Sequence, residues 1–222
     1  MASTAPDHQI GCGSDPIYVE LKERILTGEI PGDTPLRQDD LAAQFGVSKI
    51  PVREALRRLE AEGLVTFRAR RGAAVRKFSE TDILQLMDIR VALECRALEL
   101  AIPNMISTDF TVAGDLLNDY AAGANLAAWS DMNLRFHGVL YEPCGNPELM
   151  NMISGLQQKL GKFLRLLVTE ASGLERPIRE HAEILAACEQ GDVDRAVSTL
   201  KTHIGTTKKE VAAFMRRRTQ ES

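Results

Sequence analysis

The chain has no apolar run approaching the roughly 18 residues that a helical membrane span requires, so no such span is expected. Its opening residues, MASTAPDHQIGCGSDP, have neither a basic start nor an apolar centre, so they do not read as a secretory signal. Their Gly, Ser, Pro and Asp content reads as a mobile tail. Cysteine is sparse: Cys12, Cys95, Cys144 and Cys188, with no CxxC pair, which argues against a disulfide scaffold or a paired-cysteine zinc site. Cys95 and Cys188 fall on apolar helical stripes and read as small core residues, whereas Cys12 lies in the tail and is expected to be free. A cytoplasmic protein fits these absences. The chain also lacks an excess of positive charge, with 27 Lys and Arg against 31 Asp and Glu, a formal net of −4.

That balance conceals a division. Residues 16–77 carry 12 basic and 9 acidic side chains, whereas residues 78–222 carry 15 and 20. Within Ser48–Lys77 there are nine Lys and Arg against three Glu. Local basicity of this kind is the footprint of a nucleic-acid contact. The same stretch reads as a helix. Ser48 is a suitable N-cap, Pro51 falls in the tolerant first turn, and Gly63 gives a left-handed stop. Val52, Leu56 and Leu59 repeat at helical spacing, so they form the buried stripe. Lys49, Arg53 and Arg57 line another face, suited to phosphates and guanine edges in a major groove. Ahead of it, Asp39–Phe45 forms a short helix with Leu41 and Phe45 inward, and Gly46-Val47 makes the turn of a helix-turn-helix. Behind it, Val65–Arg68 alternates like a strand, Arg70-Arg71-Gly72 makes a basic tip, and residues 73–76 return: a β-wing.

From Phe78 onward the periodicity is helical. Helices are expected at about 80–102, 108–122, 124–141, 147–169, 176–190 and 193–218, which implies a six-helix antiparallel bundle. Leu84, Met87, Val91, Ala92, Cys95, Leu98 and Ile102 are the expected buried stripe of the first, with Ser79 as its cap. Asn133 lies one turn before His137, and both share a face with Leu140. His181 shares a face with Ile178, Leu185 and Cys188, and His203 with Ala196, Leu200 and Thr207. Three imidazoles thus point inward from three helices. Neutral imidazole is a common ligand for zinc and similar ions. A single inward His is more often a hydrogen-bonded core residue, and spacing alone leaves open whether the three converge.

The segment from about Ile17 to Lys77 resembles the winged-helix domain of the GntR family of bacterial transcription regulators. Leu21, Ile25, Gly28, Pro31-Gly32, Leu36, Gly46-Val47-Ser48, Pro51–Leu56, Glu62–Val65, Arg71-Gly72 and Val75 fall in the family's order and spacing. The family usually has Arg at the position of Lys49, and Lys lacks the fork that grips guanine bidentately. Phe78–Ile204 resembles the all-helical FCD effector domain of the FadR branch, through Ile89-Arg90 with Glu94, Asn133-x-x-Phe136-His137, Gly145-Asn146-Pro147 and Glu180-His181-x-x-Ile184-Leu185. Six helices suggest the VanR-like subgroup.

The resemblance implies a mainly α protein. A tail (1–15) would precede a winged helix-turn-helix DNA-binding domain (16–77) and an effector-binding and dimerisation domain (78–222). It implies that Ser48, Lys49 and Arg53 act on the recognition helix and that Gly72 sits at the wing tip; Arg37, Arg57, Arg70 and Arg71 are the further DNA contacts expected. It also implies a divalent metal, zinc or nickel, on Asn133, His137, His181 and His203, with Asn133 where the family has Asp. Arg90, and less directly Arg165, would meet a small organic acid. The expected protein is a homodimeric regulator, a repressor by family habit, on a palindromic operator, and not an enzyme. Two other readings stand beside it: a metal-free regulator with an acyl-type ligand, and a metal-dependent hydrolase with Glu94 or Glu183 as base. In the hydrolase reading each Glu also has a plain explanation as a helix-surface residue; for Glu94 this is an i,i+4 pair with Arg90.

Overall fold

The structure, a computed structural model, describes residues 14–68, 72–121, 126–167 and 173–220. It divides into two compact units, Met1–Phe78 and Ser79–Ser222. Arg70, Arg71 and Cys12 lie outside the described residues, as does the side chain of Arg165.

The first unit begins with α1 (Ser14–Thr27), whose Ile17, Leu21 and Ile25 recur at helical spacing and are buried. Strand β1 (Pro35–Leu36) follows, then α2 (Gln38–Phe45) with Leu41, Ala42 and Phe45 inward. Gly46 ends α2 at φ 65°, and the N–H groups of Gly46 and Val47 return to the carbonyls of Ala43 and Ala42. That left-handed residue turns the chain sharply into α3 (Lys49–Ala61), which packs on α1 and α2. Val52, Ala55, Leu56 and Leu59 are fully buried, each larger one contributing roughly 1.5–3 kcal/mol by its removal from water. Ser48 has the extended backbone of an N-cap, yet its hydroxyl makes no cap bond, contrary to expectation. Strands β2 (Val65–Arg68) and β3 (Gly72–Val75) pair antiparallel from Val65↔Val75 to Arg68↔Gly72. The short β1 adds to β3 through Leu36↔Ala73, giving the order β1-β3-β2. These elements form the expected winged helix-turn-helix.

The second unit is helical throughout its described residues: α4 (Glu80–Ala101), α5 (Ser107–Ala121), α6 (Leu126–Tyr141), α7 (Pro147–Leu167), α8 (Glu175–Glu189) and α9 (Val193–Gln220). Ser79 and Asp82 form a reciprocal capping box at the start of α4. Pro103 and Pro143 each mark a single 3-10 turn, after α4 and α6. Helix α4 runs against α6, α7 and α9, while α8 packs on α5 and α9. The buried face of α4 differs from the expected one. It comprises Ile83, Met87, Arg90, Glu94, Ala97, Leu98 and Ala101, while Leu84, Val91 and Cys95 are half-buried and Ala92 is exposed. Two charged residues sit where an apolar template expects none. Among the described residues, no helix is long and apolar enough to cross a membrane.

Candidate metal centre and nucleic-acid face

Helix α3 presents Lys49, Arg53 and Arg57 outward, as its spacing requires. Lys49 pairs with Asp39 of α2. Arg57 bonds Glu60 at 2.7 Å and lies 4.4 Å over the Phe67 ring on the wing strand. Arg58 pairs with Asp15 and stacks 4.0 Å over Tyr18, which fastens α3 to α1. Among the described residues, Arg53 is the α3 cation without a carboxylate partner. Arg37 is exposed at the start of α2, Ser48 at the start of α3, and Gly72 at the start of the returning wing strand. The face therefore combines an exposed cationic helix with a hairpin beside it.

In the second unit, α6 supplies His137, α8 supplies His181 and α9 supplies His203, and all three are buried. One nitrogen from each lies within 4.8 Å of the others. His181 Nε2 and His203 Nε2 are 3.3 Å apart. Two Zn–N bonds of about 2.05 Å at a tetrahedral angle would set their nitrogens about 3.3 Å apart. Asn133, one turn before His137 on α6, is also buried. The trio is neutral. Burial, then the neighbouring imidazoles and the Arg90 guanidinium, hold His137 and His181 well below the usual imidazole pKa. Burial, Arg90 and Arg176 bring His203 down to about 3. Neutral rings keep a lone pair for coordination.

Partners of the remote ring nitrogens decide which lone pair is free. Glu180 accepts from His203 Nδ1 at 2.7 Å and is itself bonded to Arg176. Tyr141 Oη lies 3.0 Å from His137 Nδ1 and donates to Glu94 Oε2 at 2.8 Å. Glu94 Oε1 accepts from Arg90 Nε at 2.7 Å and from Gln157 at 3.1 Å. His137 Nε2 is buried with no hydrogen-bond partner. A buried unpartnered nitrogen on a ring packed against two other imidazoles fits an ion better than a packed apolar core. The cluster therefore has the donor chemistry of a metal site. A bound ion would supply Lewis acidity and a place for an anionic oxygen.

The structure brings His137, His181 and His203 together and buries Asn133 on the same helix face as His137. It places Arg90 close enough to depress all three imidazoles, but Arg90 is also the buried partner of Glu94. The surface-pair reading of Arg90 and Glu94 is corrected: side-chain exposure is 3% and 0%. Glu94 is no general base either, since both its oxygens accept bonds, and Glu183 is exposed on α8. Tyr141 and Gln157 were missed by sequence reasoning, and Glu180 was matched as a signature residue without a role. Tyr141 follows His137 by one turn and Glu180 adjoins His181, so the signal was present in the spacing.

A winged helix-turn-helix unit and a helical unit with a buried polar centre are the parts of a DNA-binding regulator with an effector-binding domain. The comparisons agree. The model of bacterial regulatory proteins of the gntR family matches residues 14–75, and that of the FCD domain matches residues 85–206. A protein of Paenarthrobacter nicotinovorans named "Probable D-xylose utilization operon transcriptional repressor" is 30% identical over 182 residues, 81% of this chain and 80% of that protein. The HTH-type transcriptional repressor GlaR of Escherichia coli K12 is 28% identical over 200 residues, 85% of this chain and 91% of that protein. The solved structure of E. coli McbR/YncC shares the fold, with TM-score 0.73 and 22% identity over 93% of this chain and 100% of that one. The chain belongs to the GntR family of transcription regulators, with the FCD effector domain of the FadR-like branch. It is a DNA-binding regulator with a C-terminal effector-binding domain, and a transcription regulator is not an enzyme.

Proposed function

We propose that the protein is a homodimeric, cytoplasmic repressor whose grip on a palindromic operator is set by a small carboxylate bound at a divalent metal in the helical unit. The observation that carries this reading is the convergence of three neutral imidazole nitrogens from α6, α8 and α9 within 4.8 Å, one of them buried without a partner. His137, His181 and His203 would hold the ion, zinc or nickel, with the Asn133 amide oxygen as a weak fourth donor. These donors are all uncharged, so an ion held by them keeps its full charge and favours an anionic ligand. Arg90 lies near the trio and would orient the carboxylate, with Arg165 as a further candidate. On the DNA side Lys49, Arg53 and Arg57 would enter the major groove, flanked by Arg37 and Ser48. Arg70, Arg71 and Gly72 would form the wing tip.

Effector control requires a difference in carboxylate affinity between the two operator-binding states of the dimer. The test has two stages. Metal content per protomer is measured on tag-free protein purified without chelator, then operator gel shifts are run with a panel of mono- and dicarboxylates. About one equivalent of zinc or nickel, lost in His181→Ala, together with a carboxylate that changes operator affinity, is the expected result. Absence of metal after incubation with excess ions sinks the metal reading. A carboxylate that binds and leaves operator affinity unchanged sinks the control mechanism.

A further inference from the structure

The buried hydrogen bonds around Glu94 form a directed chain whose far end is a candidate metal ligand. Glu94 Oε1 is occupied by Arg90 Nε and Gln157 Nε2, and Oε2 accepts from Tyr141 Oη at 2.8 Å. A tyrosine hydroxyl has one hydrogen. With that hydrogen directed to Glu94, the Tyr141 oxygen faces His137 Nδ1, 3.0 Å away, as an acceptor. Nδ1 must then carry the proton, and His137 Nε2, which has no hydrogen-bond partner, is left as a bare lone pair. His203 reaches the same state by another route, because Glu180 accepts directly from its Nδ1. All members of the His137 chain are buried.

We infer that Glu94 and Tyr141 are positioning residues that hold His137 in the Nδ1–H tautomer and so aim its Nε2 lone pair at the imidazole cluster. Only the consequence for metal affinity rests on the metal reading above; the tautomer itself is a property of the metal-free protein. Arg90 takes a second role here. Its guanidinium fixes which Glu94 oxygen is free for Tyr141, so the charge pair sets the direction of the whole chain.

A conservative variant separates this from a packing role. In Glu94→Gln the amide oxygen must remain opposite Arg90, because a guanidinium cannot accept a hydrogen bond. The amide nitrogen then faces Tyr141 and donates to it. The Tyr141 hydroxyl hydrogen must turn to His137 Nδ1, which reverses the tautomer and places a hydrogen on Nε2. Shape is nearly unchanged, but the lone pair is lost from the cluster.

The measurement is the nitrogen chemical shifts of the imidazoles in metal-free, nitrogen-15-labelled full-length protein, with His137→Ala used for assignment. The expected result is Nδ1–H at His137 in the wild type and Nε2–H in Glu94→Gln. Tyr141→Phe keeps the ring and removes the acceptor, so His137 should become a mixture of tautomers; this variant decides the matter if Glu94→Gln does not fold. Zinc affinity, read by competition with a chromophoric chelator, should fall about 10- to 100-fold in each variant, as is usual when a ligand's outer partner is lost. An Nε2–H tautomer in the wild type, or an unchanged tautomer in both variants, overturns the inference. Tautomers as expected in a wild-type protein that takes up no zinc support the positioning role and reject the metal reading instead.

Discussion

Glu94→Ala should be among the most destabilising single changes in the helical unit. The substitution leaves the Arg90 guanidinium, 2% exposed, buried without its counter-charge. Breaking a buried ion pair from one side typically costs about 3–5 kcal/mol. Tyr141 and Gln157 also lose their acceptor, and each unsatisfied buried donor adds on the order of 1 kcal/mol or more. The unit Ser79–Ser222 holds 144 residues (222 − 79 + 1), so at about 2.1 cal/mol/K per residue its unfolding entropy is roughly 0.3 kcal/mol/K. The midpoint of its thermal transition should therefore fall by about 15–25 °C. Arg96→Ala is the control. Arg96 bonds Glu99 at 2.6 Å on the same helix, but both side chains are at least half exposed, so the pair contributes only about 0.2–1 kcal/mol. The double replacement Arg90→Met with Glu94→Leu should recover much of the loss, because no charge is then stranded. Calorimetry of the full chain reads all three. Similar midpoints for Glu94→Ala and Arg96→Ala would refute the argument that burial, and not pairing, sets the cost.

Three further outcomes follow from the two sites. Arg53→Ala should remove operator binding in gel shifts while leaving the thermal midpoint unchanged, since its side chain is outside the core of the first unit; retained binding would displace α3 as the reading helix. Asn133→Asp should tighten zinc binding roughly 10- to 100-fold by supplying a charge-assisted ligand bond of about 1.5–3 kcal/mol, and a weaker affinity in chelator competition would place residue 133 away from the ion. Zinc at a hundredfold excess over its dissociation constant should stabilise the helical unit by about 2.7 kcal/mol, so stripping it with chelator should lower that unit's midpoint by several degrees, and an unchanged melt would mean that no ion is held in the folded state.

The reading motif was legible because each of its parts is local. A glycine at a left-handed turn, an i, i+4 row of cations and a stripe of Val52, Leu56 and Leu59 all lie within a few turns of chain. Strand β1 was not legible, because two residues leave no period to read. The buried face of α4 was misread for a physical reason. Apolar templates choose the stripe with most apolar members, and Arg90 and Glu94 are buried because each answers the other's charge. The three histidines could each be assigned to an inward face. Their convergence depends on how α6, α8 and α9 pack, which no spacing records. The roles of Glu180 and Tyr141 were overlooked because they lie in orienting other side chains, although each sits one residue or one turn from a histidine already singled out.

Helix α3 carries its own counter-ions. If α3 docks on DNA as proposed, Lys49 and Arg57, already held by Asp39 and Glu60, exchange one anionic partner for another. Fewer condensed cations leave the duplex than the number of basic side chains on the helix suggests, and the affinity should decline less steeply with salt. The displaced carboxylates stay close to the phosphates and repel them unless the register lets each acid turn away. Random sequence offers phosphates at every step but seldom a compensating base edge, so this exchange weighs most against the vast excess of non-target DNA. On the proposed reading, selectivity begins with the acids that guard α3, before any base is read.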